Sequence, residues 1–259
     1  MGPLRLAALL AVVLWPPAAA AAGELTRSGG GIAVEIVDGD TLVLDDGTRV
    51  RLVGIMAPKL PLGRPGFRIE PLAEQAKSAL AELTLGRRLT LSYGCRRVDR
   101  YSRTLAHLNE EAGAWIQGKM LRRGLARVYS FADNRAAIGE MLAFEAEARA
   151  AGRGVWALED FRVIGVANTP ARIGSYQVVE GRVLDAAVVG RRGYLNFGED
   201  YRDNFTISIA PRDVTTFRRA GIDILTLEGR RMRVRGWLKS LNGPMIDATH
   251  FEQIEVLDN

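Results

Sequence analysis

The sequence predicts a β-rich α+β protein: a small five-stranded barrel of the OB type carrying C-terminal helices, then a second small OB-like β-barrel. Two observations predict this class. Hydrophobic periodicity runs in the order three strands, helix, two strands, helices across the first half. Three strands, a helix and further strands recur beyond residue 176, after a stretch without a clear period that contains Pro170 and Gly174. The expected organisation is a leader over residues 1–22, a first domain over 31–157, a linker over 158–175 and a second domain over 176–259.

In the first domain, alternating apolar residues mark strands at Ile32 to Val37, Thr41 to Leu44 and Thr48 to Ile55, with Asp46-Gly47 as the hairpin turn. A loop rich in Pro and Gly follows from Pro58 to Gly66. Behind Pro71, residues Leu72, Ala76, Ala79, Leu80 and Leu83 share one helical face, and Gly86 stops that helix. Strands at Arg88 to Tyr93 and Arg103 to Asn109 come next. Helices from Trp115 to Leu125 and from Asn134 to Ala151 complete the domain, the last ended by Gly152 and Gly154. In the second domain, strands are expected near Tyr176 to Leu184, Gly193 to Phe197 and Phe205 to Ile209, with a short helix near Val214 to Ala220. Strands at Arg231 to Lys239 and Met245 to Ala248, joined by Asn242-Gly243, and at Gln253 to Leu257 close the pattern.

With 259 residues and 47% hydrophobic content the chain can bury a packed core and is not a disordered type. Lys and Arg outnumber Asp and Glu by 35 to 30, which makes a polyanion a reasonable partner. Arg5, the apolar run from Leu6 to Trp15 and an alanine tract ending near Ala22 have the form of a secretory signal. That run is short for a spanning helix and is broken by Pro16 and Pro17, so export to a periplasm or the medium is expected rather than a stable membrane anchor. The single cysteine, Cys95, excludes an internal disulfide and is expected as a small buried side chain, with a reactive outlier as the alternative. His107 and His250 have no metal-ligand spacing. No Gly-rich phosphate loop or Ser nucleophile elbow is found, so nucleoside triphosphate use and serine hydrolysis are not indicated.

The chemistry concentrates between Val37 and Lys59. Asp38 and Asp40 flank Gly39 at a turn, where two carboxylates can reach a hard cation, although Asp-Gly-Asp also suits a plain hairpin corner. Arg51 on the third strand and Arg103, in Asp99-Arg100-Tyr101-Ser102-Arg103, are two arginines that can converge on a phosphate through forked hydrogen bonds.

These residues, together with Arg51-Leu52, Gly54-Ile55, Pro58, Arg100 to Ala106 and Arg122 to Val128, resemble the staphylococcal nuclease, or thermonuclease, family over about half the chain. The resemblance implies calcium-dependent phosphodiester hydrolysis of DNA or RNA on an OB barrel. It implies that Asp40 is a calcium ligand and that Arg51 and Arg103 are the phosphate-binding arginines. It makes Tyr101 an aromatic of the nucleotide pocket, with Tyr129 and Phe131 near where another is expected. Lys59, Arg100, Tyr101 and Tyr129 become the expected nucleic-acid contacts.

Cleaving members read Asp-x-Pro-Glu where this chain reads Met56-Ala57-Pro58-Lys59. Met56 thus replaces the second calcium ligand with a thioether, and Lys59 replaces the general base with a cation. A weak or residual calcium or magnesium site at Asp40 and Asp38 stays open, as does Glu70 as a substitute base. Three readings follow: a polyanion-binding, catalytically weakened nuclease-like protein; an active calcium- or magnesium-dependent nuclease with a rearranged site; and a non-enzymatic envelope interaction protein. In the second domain, Arg230, Arg231, Arg233 and Arg235 with Tyr194, Phe197 and Tyr201 suggest either a solvated face or a groove for a single strand.

Overall fold

A computed structural model describes residues 24–257. The expected leader over residues 1–22 lies outside the described residues. Six strands and one helix build the first barrel and its entrance: β1 (Thr26–Asp38), β2 (Thr41–Leu44), β3 (Arg49–Leu52), β4 (Gly54–Met56), α1 (Ala73–Thr84), β5 (Arg88–Tyr93) and β6 (Thr104–Glu110). Helix α2 (Ile116–Arg122), strand β7 (Arg127–Tyr129) and helix α3 (Ile138–Ala150) follow. The strands close in the order β1-β2-β3-β6-β5, with β3 and β6 parallel, while β4 leaves the barrel to pair with β7. Gly54, at φ +84, makes that departure, so the strand expected over Thr48 to Ile55 is two short strands that turn away from each other.

The barrel fills with the inward positions predicted by alternation, including Ala33, Leu42, Leu44, Val50, Leu52, Leu89, Leu91, Ala106 and Leu108. Helix α1 covers one end with Ala76, Ala79, Leu80 and Leu83, the expected face. Cys95 is exposed, contrary to the expectation of burial: it lies beyond the last residue of β5, in a loop beside Arg96 and Arg97.

Residues 158–175, expected as a linker, form three short 3-10 turns and strand β8 (Ile164–Gly165), which pairs in parallel with β9 (Tyr176–Arg182). The stretch is packed: Phe161 is buried with Ala148, Val155, Trp156 and Val178. Beyond it come β10 (Asp185–Val189), β11 (Arg192–Asn196), β12 (Thr206–Ile209), α4 (Pro211–Arg219), β13 (Arg231–Trp237), β14 (Lys239–Ser240), β15 (Pro244–Asp247) and β16 (Ile254–Val256). Strand β10 was not expected; its Asp185-Ala186-Ala187 start carries little β signal.

This half is organised as two sheets, β10-β11-β12-β15-β14 and β16-β13-β9-β8, rather than one continuous barrel. The reason is bending. β9 runs into β10 through Val183 and Leu184, and β13 into β14 through Leu238, so each long strand passes from one sheet to the other. Followed through those bends, the pairing order of the first barrel recurs, including a parallel β12–β15 pair in the place of β3–β6.

Of the β13 arginines only Arg231 is exposed; Arg233 and Arg235 are drawn into ion pairs rather than forming a solvated face or a groove. Arg233 pairs with Glu180 on β9 and Glu255 on β16, at cross-strand positions that place opposite charges side by side. Arg235 is 1% exposed and donates from Nη1 to Glu145 Oε2 of α3 at 2.7 Å and from Nη2 to Glu255 Oε1 at 2.6 Å. Burial alone would lower its pKa, but the two carboxylates more than offset that and keep the guanidinium charged. This pair joins the two halves. Arg135 to Glu252, Ser130 to His250, Arg127 to the Tyr176 carbonyl, and the Tyr176 hydroxyl donating to the Val128 carbonyl reinforce it.

Candidate functional site

The site lies where β1, β2 and β3 meet the loop after β4. Asp38 ends β1 and Asp40 follows it across Gly39, where a Cβ would stand 2.7 Å from both Ala57 Cβ and Ala76 Cβ. Glycine is therefore required between the two acids by close approach of α1 and the β4 loop, not by turn propensity alone.

Asp40 is wholly buried and fully committed. Its Oδ2 accepts from Lys59 Nζ at 2.6 Å and from the Ala57 N–H at 2.8 Å, and its Oδ1 faces Arg51 Nη1 at 3.2 Å and the Thr41 hydroxyl at 3.3 Å. Burial would raise its pKa, but Arg51 and Lys59 dominate and hold it down to about 2. Asp38 moves the other way. Burial and the neighbouring Asp40 charge raise it, against the pull of Lys59, whose Nζ lies 3.9 Å from Asp38 Oδ2. The Asp38 Oδ1 accepts the Asp40 N–H at 3.0 Å and so fixes the turn.

Arg51 donates from Nη1 to the Leu52 carbonyl and from Nη2 to the Ile55 carbonyl, both at 2.7 Å. With the contact to Asp40 these bonds use two hydrogens on Nη1 and one on Nη2, leaving Nε and one Nη2 hydrogen for an anion. In the parallel β3–β6 ladder Arg51 pairs with Leu105, two residues beyond Arg103. Arg103 is held by Asp99, which accepts from its backbone N–H at 3.0 Å, its Nε at 2.8 Å and the Tyr101 N–H at 2.8 Å. Slight burial raises the Asp99 pKa, and these bonds reverse that and lower it. Ser102 adopts φ +61 within this turn, which exposes Tyr101 at 64%.

Asp38, Arg51, Met56, Lys59, Arg100, Tyr101, Arg103, Tyr129 and Phe131 line one cleft of about 640 Å³. The expected phosphate and aromatic residues are thus brought together. Asp40 lies beneath the floor. Glu70 is not brought in: its carboxylate accepts the Lys59 backbone N–H at 2.7 Å. Arg64, Arg96 and Trp237 also line the cleft and were not anticipated. Asp99 was seen only as a neighbour; its spacing of four from Arg103 was the available signal.

The residues present do not fit a calcium ion. Such an ion takes about six to eight oxygens. Here Asp40 is saturated by cations and N–H donors, position 56 offers sulfur, and the Lys59 ammonium stands between the two carboxylates. Among the described residues no three His, Cys, Asp or Glu side chains gather as a metal site. Chemically, the arrangement is a basic cleft with aromatic walls over a neutralised acid pair.

Three curated proteins are similar to this chain in sequence. The chain is 36% identical to Protein ParB of Escherichia coli over 164 residues, 59% of this chain and 83% of that protein. It is 32% identical to Thermonuclease of Staphylococcus intermedius over 104 residues, 38% of this chain and 59% of that protein. It is 28% identical to Thermonuclease of Staphylococcus hyicus over 106 residues, 39% and 60% respectively. The family profile described as Staphylococcal nuclease homologue matches residues 49–158, from β3 to the end of the first domain. A profile match over residues 49–158 and a relative 36% identical and matched over most of its length make the chain a member of the staphylococcal nuclease homologue family.

Proposed function

We propose that this protein binds nucleic acid, or a polyanion of like spacing, through the cleft above Asp40, and does not hydrolyse it efficiently by a metal-dependent route. Family membership supports a nuclease or nucleic-acid-binding function. One observation carries the choice between them: the Lys59 ammonium, 2.6 Å from Asp40 Oδ2, supplies the positive charge that the resemblance assigns to calcium. Lys59 is cationic at the position of the expected base, and general-base assistance is worth about 10²- to 10⁴-fold. Arg100, Arg103 and the free N–H groups of Arg51 then hold phosphate oxygens, with Tyr101, Tyr129 and Phe131 against the bases. The leader over residues 1–22 supports export to a periplasm or the medium, where mature protein should start near Gly23 by N-terminal sequencing.

The test is to incubate the protein with single-stranded DNA, duplex DNA and RNA in calcium, magnesium or chelator, scoring cleavage and binding together. Binding is expected in all three conditions and weakens with salt. Arg100→Glu with Arg103→Glu should flatten the dependence of log affinity on log salt, by roughly 0.7 per lost phosphate contact on single strands. Efficient divalent-dependent cleavage by the wild-type protein, abolished in Asp40→Ala, would overturn the proposal in favour of a rearranged nuclease. No binding at low salt would favour an envelope interaction protein.

A further inference from the structure

The cleft of the first barrel is completed by a residue of the other half. Trp237 ends β13, opposite Tyr176 of β9, and is 52% exposed although Arg235, two residues earlier, is almost wholly buried. Its Nε1 donates to the Tyr129 hydroxyl at 3.1 Å, and its ring meets that of Tyr176 at 6.1 Å and 69°. Tyr176 meets Tyr129 edge to face at 5.1 Å, and Tyr129 meets Phe131 at 4.8 Å. The result is a run of rings, Phe131 to Tyr129 to Tyr176 to Trp237, with an exposed member at each end: Phe131 is 45% exposed.

Packing does not explain this exposure. Tryptophan at a strand end usually hides its ring, and here the indole N–H is satisfied while much of the ring stays uncovered at the mouth of a cleft. Arg64, Arg96, Arg100 and Arg103 line the same cleft, so an occupant that presents both anionic oxygens and flat apolar faces is complementary to it. A single-stranded nucleic acid does so, because its phosphates follow the arginines while its unpaired bases are free to stack. A duplex keeps its bases stacked on one another.

We propose that Trp237 is a base-stacking residue, contributed by the C-terminal half, that extends the nucleic-acid cleft of the N-terminal barrel. This rests on the nucleic-acid reading above. The Arg235–Glu145 pair fixes β13 against α3, and thereby sets Trp237 beside Tyr129, so the subsite exists only while the two halves are docked. Of the other exposed aromatics at the cleft, Tyr101 carries Arg100 and Arg103 at 4.8 and 5.5 Å from its ring centre, and Phe131 offers a smaller ring, 45% exposed against 52% for Trp237.

The test compares two probes of equal phosphate number in the presence of chelator: a thymidine oligonucleotide and its abasic counterpart. Binding is read by anisotropy for wild type, Trp237→Ala and Trp237→Phe, with thermal unfolding to check the fold. Trp237→Ala should weaken the thymidine probe by about 5- to 150-fold, the range of one stacked base, and leave the abasic probe unchanged. Trp237→Phe should recover most of the loss. In the mature protein, which lacks Trp15 of the leader, the thymidine probe should also quench wild-type tryptophan emission and not that of Trp237→Phe, since Trp156 is buried and Trp115 is packed against the barrel core. Equal affinity of wild type and Trp237→Ala for thymidine, or an equal loss on both probes, overturns the stacking role and leaves the cleft's phosphate binding intact. Failure of wild type to bind either probe overturns the nucleic-acid reading itself, and this proposal with it.

Discussion

Arg235→Ala should cost about 3–5 kcal/mol of stability, the usual result of stripping one partner from a buried ion pair. The loss comes less from a missing attraction than from what is left behind. Glu145 is wholly buried; without Arg235 it keeps the Val128 N–H at 2.7 Å and a long contact from Arg149 Nη1 at 3.4 Å. That is too little for a charge held away from water. Because Val128 lies in β7 beside Tyr129, the disturbance should reach the cleft wall as well as the junction of the halves. Arg231→Ala is the control: its pair with Glu180 is more than half exposed on the arginine side, and such pairs are worth about 0–1 kcal/mol. Urea unfolding of the three proteins checks the ranking. A loss below about 1 kcal/mol for Arg235→Ala would mean that the two halves are not held by this pair.

Met56→Asp combined with Lys59→Glu should raise calcium-dependent cleavage of DNA or RNA by about 10²- to 10⁴-fold. Both positions line the cleft, so the new carboxylates need no rearrangement to face it. Removing Lys59 releases Asp40 Oδ2 from its shortest contact, and the two substitutions add oxygens of the kind a hard cation selects. The double variant also gathers four acids, at 38, 40, 56 and 59, around Arg51 alone. Without a metal that cluster repels itself, so the variant should unfold at lower temperature than wild type and be restored by calcium. Calorimetric calcium binding and a melting curve with and without calcium give readouts that do not depend on turnover. A folded double variant that neither binds calcium nor cleaves would show that positions 56 and 59 do not by themselves decide between binding and cleavage.

The barrel was legible in the sequence because its signals are local. Alternation over Ile32 to Ile55, the Asp46-Gly47 turn and the Ala and Leu face of α1 each report a structure formed within a dozen or so residues. Asp38, Arg51 and Arg103, singled out by turn chemistry and strand order, and Tyr101, which the resemblance implied, line one cleft. What could not be read was long-range. The basic row of β13 looks like a surface in one dimension, because Glu180 and Glu255, which neutralise it, are 53 and 22 residues away from Arg233. Arg235 and Glu145 are separated by 90 residues. No periodicity links such partners. Trp237 escaped for the same reason: its neighbour in the cleft, Tyr129, lies 108 residues earlier. The bends at Val183–Leu184 and Leu238 were missed although Gly181 and Gly236 stand two residues before them, because each apolar alternation reads as one strand running straight through.

The placement of Lys59 has a further consequence. A metal cofactor obeys mass action: the share of molecules that carry it rises and falls with its concentration outside, and a chelator can empty the site. A cation on a side chain has no such isotherm. It is covalently present in every copy of the protein, at a local concentration set by a short tether rather than by the surroundings. On the proposed reading, the protein would therefore hold its phosphate-facing charge constant whatever the calcium around it, independent of the ion but without the chemistry the ion performs.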